Sequence, residues 1–160
     1  MLSSLFFALA FAADVTVTTS DTAVQDAVAA NHGTPTMVHF WATWCDACVK
    51  EFPHFVKLAK TPGIKVVLVS VDLKQTLDKH VRPFLDEQHV EFPSLLLDVD
   101  SPERVMHAID AKWKGAIPAT FLYDREGKLV QRFFGDKGDA LEKALSALMN
   151  PAPEAKKSAL

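Results

Sequence analysis

Cysteine is scarce in this sequence of 160 residues, which contains only Cys45 and Cys48. Two cysteines cannot build a multi-disulfide scaffold or a four-cysteine zinc site, so both of these classes are excluded. A disulfide that closes so short a loop restrains the unfolded chain very little, which makes stabilisation a poor reason for the pair. The spacing on its own therefore indicates either redox chemistry or metal binding by two thiolates.

An excess of charge of one sign is also missing. The chain has 17 Lys and Arg residues against 20 Asp and Glu residues, and its formal net charge is −3. The sequence therefore lacks the excess of basic residues that is typical of nucleic-acid-binding proteins and of helices that bind membrane surfaces. The contents of 49% hydrophobic and 23% charged residues are typical of a globular protein, and the length predicts one domain.

No hydrophobic run reaches the roughly 20 residues that a membrane-spanning helix requires. Residues 1–13 are apolar and end in small residues, which is typical of a secretory signal, although the usual basic start is missing. We therefore expect a signal segment at 1–13, one domain over 14–150 and a flexible tail over 151–160. This reading predicts a protein outside the cytoplasm, either in a bacterial periplasm or secreted. The alternative is an apolar N-terminal extension on an intracellular protein.

Hydrophobic patterning alternates between strands and helices, which predicts an α/β sandwich with a mixed sheet. Residues 36–41 and 64–71 are almost continuously apolar and predict buried strands, whereas 45–60 has helical spacing with Pro53 as a possible kink. Asp21 or Ser20 can cap a helix between the first two strands, which ends near 31–33. The other predicted strands are 15–19, 93–99, 116–123 and 128–134, and the other predicted helices are 77–89, 102–112 and 139–149.

The two cysteines lie where a buried strand gives way to a helix, within Phe-Trp-Ala-Thr-Trp-Cys-Asp-Ala-Cys at residues 40–48. The unpaired N–H groups and the dipole at a helix N-terminus favour a negative charge, and this position lowers the pKa of a cysteine. Cys45 is therefore the predicted attacking thiol. Cys48 lies one helical turn further on and is the predicted resolving thiol, which releases the product from a mixed disulfide.

Three segments together resemble the thioredoxin superfamily, and most closely the secreted TlpA/ResA-like thiol–disulfide oxidoreductases. They are the motif at 40–48, the Lys-Glu-Phe-Pro that follows Val49, and Gly-Ala-Ile-Pro-Ala-Thr-Phe-Leu-Tyr-Asp at 115–124. The resemblance covers roughly residues 15–149. It implies a thioredoxin-like three-layer sandwich with a mixed central sheet, enlarged by a small TlpA-type strand–helix insert at 93–112.

The resemblance also implies a substrate-binding surface and a set of partners. Ile117–Pro118 would be a cis peptide that faces Cys45, its backbone would pair with a substrate strand, and Trp44 would cover the cysteines as a docking surface. Trp41 is expected in the core. The implied enzyme is a protein-disulfide oxidoreductase without a cofactor other than its own disulfide and without a metal. It would act as a monomer on a disulfide-containing protein such as an apocytochrome c, and a thiol donor such as a membrane reductase would recycle it.

Two residues between the cysteines depart from thioredoxin, which has Gly-Pro where this chain has Asp46 and Ala47. A negative charge at Asp46 disfavours the thiolate of Cys45 and hence the dithiol form. On this ground we expect a reductant rather than a strong oxidant, whose reduced form is stabilised. The other interpretation, held equally, is that Asp46 caps the helix and points into solvent.

Two further side chains are candidates for proton transfer. Glu51 shares a helical face with Cys48 and matches an acidic residue that ResA-like proteins place near the pair, so it is a candidate base for Cys48. An exposed helix charge is the alternative reading of Glu51. His39 occupies the position of a buried acid in thioredoxin; a neutral core histidine is favoured over a proton shuttle.

Three other functions compete with the oxidoreductase, and a redox-silent domain is a fourth possibility. A thioredoxin-fold copper carrier would use the two cysteines and a distant histidine such as His107, but such carriers space their cysteines one residue wider. A dithiol oxidase, which would pass electrons in the opposite direction, is a further alternative. The Pro-x-x-x-Thr-x-x-Cys pattern that would indicate a peroxidase of the peroxiredoxin kind is absent from the sequence. The two intact cysteines disfavour a redox-silent binding domain.

Overall fold

A computed structural model describes residues 14–135 and 137–150. The predicted signal segment and the predicted tail lie outside these residues. No helix in the described part of the chain is long and apolar enough to cross a membrane. The strands are β1 (Val15–Thr18), β2 (Thr36–Trp41), β3 (Lys65–Ser70), β4 (Ser94–Leu97), β5 (Ala119–Tyr123) and β6 (Leu129–Phe134). The α-helices are α1 (Ala23–Ala30), α2 (Asp46–Ala59), α3 (Arg82–Glu87), α4 (Pro102–Ile109) and α5 (Gly138–Met149).

The strands form one mixed sheet in the order β1-β4-β3-β2-β5-β6. Strands β1, β4, β3 and β2 pair in parallel, and β5 and β6 add an antiparallel hairpin. All six residues of β2 are buried, which explains why its sequence is mostly apolar and does not alternate between apolar and polar residues. The mixed sheet expected from the sequence is confirmed.

Apolar side chains fill the space on both faces of the sheet, as the predicted three-layer sandwich requires. One face packs against α2, α3 and α5, and Trp41, Phe52 and Leu85 lie in that cluster. The other face packs against α1 and α4 through Val24 and Val105. The cysteine-bearing helix is thereby fixed on one side of the central strand.

The insert expected at 93–112 consists of β4 and α4, and β4 lies between β1 and β3 inside the sheet. Its helix is shorter than expected, because Asp110 has extended backbone and ends α4 at Ile109. The Asp110 carboxylate then accepts a hydrogen bond from the Lys112 N–H, and Trp113 is buried after this turn. A side chain that bonds the backbone in this way favours a turn over further helix.

Two predicted helix boundaries are wrong. The helix expected at 77–89 begins as a 3₁₀ turn at Lys74–Thr76 and continues as a π-helical segment at Leu77–Val81. Pro83 lies in the first turn of α3, where a residue needs no N–H partner. At α1 the capping position is Thr22, not Ser20 or Asp21. The Ser20 hydroxyl instead accepts a hydrogen bond from the Thr22 N–H. Pro53 lies inside an unbroken α2.

Candidate active site

The two cysteines form a disulfide at the start of α2, with 5.2 Å between their Cα atoms. Cys45 is the capping residue of the helix, and its Sγ accepts a hydrogen bond of 3.2 Å from the Cys48 N–H. Cys45 is 8% exposed whereas Cys48 is completely buried. The end of the helix that favours a thiolate is therefore at Cys45, which is also the more accessible of the two cysteines.

The Ile117–Pro118 peptide bond is cis, and it lies beside the disulfide. The Ile117 carbonyl oxygen is 3.9 Å from the Cys45 Sγ. This neighbourhood follows from the sheet, because β5 begins directly after Pro118 and pairs with β2 in a register that sets Ala119 opposite Phe40. Pairing of the two strands thus brings together two segments that are 72 residues apart in the chain.

The two tryptophans of the motif have opposite environments. Trp41 is fully buried and packs on Phe52 and Phe84 with ring centroids 4.6 and 5.1 Å apart, so the core position expected for it is confirmed. Trp44 is 65% exposed. Leu73, which the sequence analysis did not single out, is 70% exposed and follows the parallel strand next to β2. Large apolar side chains this exposed are candidates for a contact surface.

Asp72 is a buried acid that the sequence analysis missed. Its carboxylate accepts hydrogen bonds from the Thr43 N–H at 3.0 and 3.2 Å, from the Thr43 hydroxyl at 2.5 Å and from the Ser70 hydroxyl at 2.8 Å. These bonds hold the turn before Cys45 against the end of β3. An acidic residue directly after a buried parallel strand was the available signal, because such strand ends meet at one edge of the sheet.

His39 is buried beneath α2 and stacks on Phe55 at a centroid distance of 4.1 Å. Its Nδ1 is 2.9 Å from the Thr120 hydroxyl. Its Nε2 is 3.6 Å from a carboxylate oxygen of Glu51, whose side chain is 13% exposed. Burial lowers the pKa of His39 to about 3, so the imidazole is neutral at ordinary pH.

Of the remaining candidates, Asp46 is exposed in the first turn of α2, where its charge also interacts favourably with the helix dipole. His107 is exposed on α4. Within 14–135 and 137–150, no group of three or more His, Cys, Asp or Glu side chains is arranged to hold a metal ion. The described geometry therefore offers a dithiol–disulfide centre and no visible ligand set for copper.

The buried strand, the disulfide at the start of α2 and the cis-proline loop define a thioredoxin-like redox protein. The chain belongs to the Redoxin family, whose model matches residues 10–148. It is 31% identical over 122 residues to the thiol-disulfide oxidoreductase ResA of Bacillus subtilis (strain 168), an alignment that covers 74% of this chain and 63% of ResA. It is 29% identical over 114 residues to the sporulation thiol-disulfide oxidoreductase A of the same strain, covering 69% of this chain and 66% of that protein.

Solved structures agree on the fold. The crystal structure of StoA from Bacillus subtilis matches with a TM-score of 0.53 and 27% identity, over 71% of this chain and 83% of that chain. A thiol:disulfide interchange protein of the thioredoxin family from Chlorobium tepidum TLS matches with a TM-score of 0.61 and 21% identity, over 76% and 83%. The resemblance to ResA-like proteins and the thioredoxin-like fold are therefore confirmed. The chain spans about three fifths of the length of the ResA proteins that it matches.

Proposed function

We propose that this protein is a thiol–disulfide oxidoreductase that reduces disulfides of other proteins outside the cytoplasm. The observation that carries the proposal is the Cys45–Cys48 disulfide at the N-terminus of α2, 3.9 Å from the carbonyl of the cis-proline loop. The named activity of the ResA relatives supports the same reaction.

The reaction transfers two electrons from the dithiol form of the pair to the substrate. The Cys45 thiolate attacks one sulfur of the substrate disulfide, which forms a mixed disulfide and releases the first substrate thiolate. Cys48 loses its proton and attacks the Cys45 sulfur, which releases the second substrate thiolate and leaves the disulfide observed between the two cysteines. A thiol donor such as a membrane reductase then reduces the pair and closes the cycle.

Glu51 is the proposed acceptor of the Cys48 proton. The two residues are three positions apart on α2 and therefore lie on one helical face. Cys48 is completely buried while the Glu51 side chain is partly exposed, so Glu51 can exchange a proton with solvent more readily than the thiol can. A glutamine in place of Glu51 would keep the shape but could not take up the proton. We expect Glu51→Gln to alter the pH profile of Cys48 reactivity, and an unchanged profile would support a solvated helix charge instead.

The proposed substrate surface consists of Trp44, Ile117 and Pro118, with Leu73 at its border. Trp44 and Leu73 supply exposed apolar area, and the hydrogen bonds between Thr43 and Asp72 tie their two segments together. The backbone beside Pro118 would pair with an extended segment of substrate, a mode of binding that selects little by sequence. Such a surface suits protein disulfides of varied sequence.

The reducing direction is proposed from Asp46, and a measurement of the reduction potential tests it. Asp46 adds a negative charge next to Cys45, which disfavours the thiolate and therefore the reduced form. We expect equilibration in glutathione buffers to yield a potential well below the roughly −120 mV of a strong dithiol oxidase. A potential near that value would identify the protein as an oxidase.

The location is proposed from residues 1–13, whose apolar and small residues are typical of a secretory signal. Expression of the full chain in a bacterium, followed by release of the periplasm, checks this proposal. We expect the protein in the released fraction with a shortened N-terminus. Retention of the full-length chain in the cytoplasmic fraction would contradict it.

Trapping of the mixed disulfide tests the activity itself. In Cys48→Ala the resolving thiol is gone, so reaction of the reduced variant with an oxidised protein such as insulin should yield a covalent adduct at Cys45. The matched control is Cys45→Ala, in which the remaining thiol is buried and should yield little adduct. Equal adduct formation by the two variants, or none with Cys48→Ala, would contradict the assigned order of attack.

A further inference from the structure

His39 connects the two segments that flank the reactive pair, and the proposed reaction does not use it. Nδ1 faces the hydroxyl of Thr120, two residues after Pro118, and Nε2 faces Glu51 on the helix that carries the cysteines. The Nε2 atom is buried and has no hydrogen-bond partner among the described residues. The 3.6 Å to Glu51 is just beyond hydrogen-bond range.

Both neighbours of the imidazole can either donate or accept a hydrogen bond. The Thr120 hydroxyl donates or accepts, and the carboxyl of Glu51 only accepts when ionised but also donates when protonated. A neutral imidazole carries one proton, on Nδ1 or on Nε2, and the other nitrogen accepts. The pair of contacts can therefore be satisfied in two ways, one for each protonation state of Glu51.

We propose that His39 is a positioning residue that changes its tautomer when Glu51 changes its protonation state, and so remains neutral while Glu51 takes up and releases the Cys48 proton. The proposal rests on the proposed function of Glu51 as the proton acceptor. Burial, which lowers the pKa of His39 to about 3, keeps the imidazole from becoming a charged partner that would fix Glu51 as a carboxylate.

Protons balance in the exchange. With Glu51 ionised, Nε2–H points at the carboxylate and the Thr120 hydroxyl donates to Nδ1. When Cys48 transfers its proton to Glu51, the new carboxylic acid donates to Nε2, whose own proton leaves, and Nδ1 acquires a proton and donates to Thr120. The imidazole loses one proton and gains one, with water as the exchange partner. Cys48 becomes a thiolate, so the net charge of the site is unchanged.

A small cavity of about 20 Å³, lined by His39, Glu51 and Thr120, allows this exchange, because about one water fits a volume of that size. The cavity lies next to an open groove of about 560 Å³, also lined by Glu51, that gives protons a way to solvent. The other titratable or charged groups of the described residues around Glu51 are Cys48, Lys50 and His54 on α2, Lys137 before α5, and Asp139 and Glu142 on α5.

Nitrogen NMR of the histidine ring tests the proposal on the full chain in its reduced form. The two ring nitrogens of His39 report which one is protonated, and the side-chain carbon of Glu51 reports its titration. We expect His39 to stay neutral from pH 5 to pH 9, and the ratio of its tautomers to change about tenfold with the midpoint of the Glu51 titration. One unchanged tautomer across that titration, or a cationic His39, overturns the proposal.

Thr120→Val removes the hydroxyl and keeps the branched shape. Neither tautomer of His39 then has a partner at Nδ1, so the balance between the two depends on Glu51 alone, and both the tautomer ratio and the midpoint of the Glu51 titration should differ from wild type. Thr36→Val is the matched control, because Thr36 is also a buried threonine, it lies on β2, and its hydroxyl donates to the nearby Thr34 carbonyl. An equal midpoint in both variants would overturn the proposal.

The insulin adduct tests the oxidoreductase activity separately from the coupling between His39 and Glu51. If Cys48→Ala forms no adduct but the His39 tautomer still follows Glu51, the proposed function fails while the coupling of the two side chains holds. If the adduct forms and the tautomer does not follow Glu51, the oxidoreductase stands and His39 is a packing residue.

Discussion

The bonds of Asp72 yield the sharpest prediction of stability. In Asp72→Ala the Thr43 N–H, the Thr43 hydroxyl and the Ser70 hydroxyl all lose their carboxylate acceptor. A hydrogen bond to a charged group contributes about 1.5–3 kcal/mol, and hydroxyls recover part of the loss by rotating toward other acceptors. We therefore expect the variant to lose about 4 kcal/mol of unfolding free energy, a large part of the 5–15 kcal/mol typical of a domain.

Urea denaturation of the oxidised protein, followed by tryptophan fluorescence, measures this loss. Asp72→Asn retains one acceptor oxygen and should lose about half as much. The control is Asp98→Ala, because the ion pair of Asp98 with Lys74 is exposed, at 3.1 Å, and such pairs contribute at most about 1 kcal/mol. If Asp72→Ala costs no more than Asp98→Ala, the carboxylate does not hold the turn before Cys45.

Three further predictions follow from single sites. Because burial lowers the pKa of His39 to about 3 and the unfolded value is about 6.5, unfolding takes up a proton between these values. The free energy of unfolding should therefore decrease by about 1 kcal/mol for each unit by which the pH is lowered in that window. Urea denaturation at pH 6 and at pH 4 should show a smaller difference in stability for His39→Asn than for wild type. Gly115 has a φ of +83°, and an added Cβ would lie 2.8 Å from the Met106 sulfur, so Gly115→Ala should cost more stability than Gly63→Ala, where φ is +88° and the space is open; equal costs would contradict the clash. Trp44→Ala should leave stability within about 0.5 kcal/mol of wild type, since the side chain is mostly exposed, but lower the rate of insulin reduction about tenfold relative to that of a small disulfide.

The central part of the fold was predictable because its signals are local. The buried strand β2 was expected at 36–41 and lies there, since a short, mostly apolar run that leads into a helix is typical of a buried strand in a parallel sheet. Because the chain has two cysteines, any intramolecular disulfide had to join Cys45 and Cys48, and the cis-proline loop follows from its resemblance to a family. Strand ends and helix ends were less well predicted, because local side-chain bonds such as that from the Thr22 N–H to Ser20 depend on detailed geometry.

The environment of the cysteines could not be predicted from spacing, because its contacts join distant segments. Asp72 and Thr43 are 29 residues apart, and His39 and Thr120 are 81 apart. Both contacts depend on strand order and register, which the sequence indicates only as an α/β pattern. For His39, the favoured interpretation was a neutral core histidine, and the short contact with Thr120 agrees with it. The approach of Glu51 to its second nitrogen had no local signal.

The two sulfurs are supported by different kinds of interaction, which should separate the effects of substitutions on either side. Around Cys45 the turn is held by a carboxylate with three donor groups, so changes there act mainly on stability and on the shape of the docking surface. On the helix that carries Cys48, Glu51 approaches the neutral, buried His39, and under the proposed role of Glu51 changes there should act mainly through protons. The ratio of Cys48 to Cys45 reactivity should consequently depend on pH in Asp72→Asn much as it does in wild type. A pH dependence that shifts in Asp72→Asn by as much as in Glu51→Gln would show that the two sides are coupled.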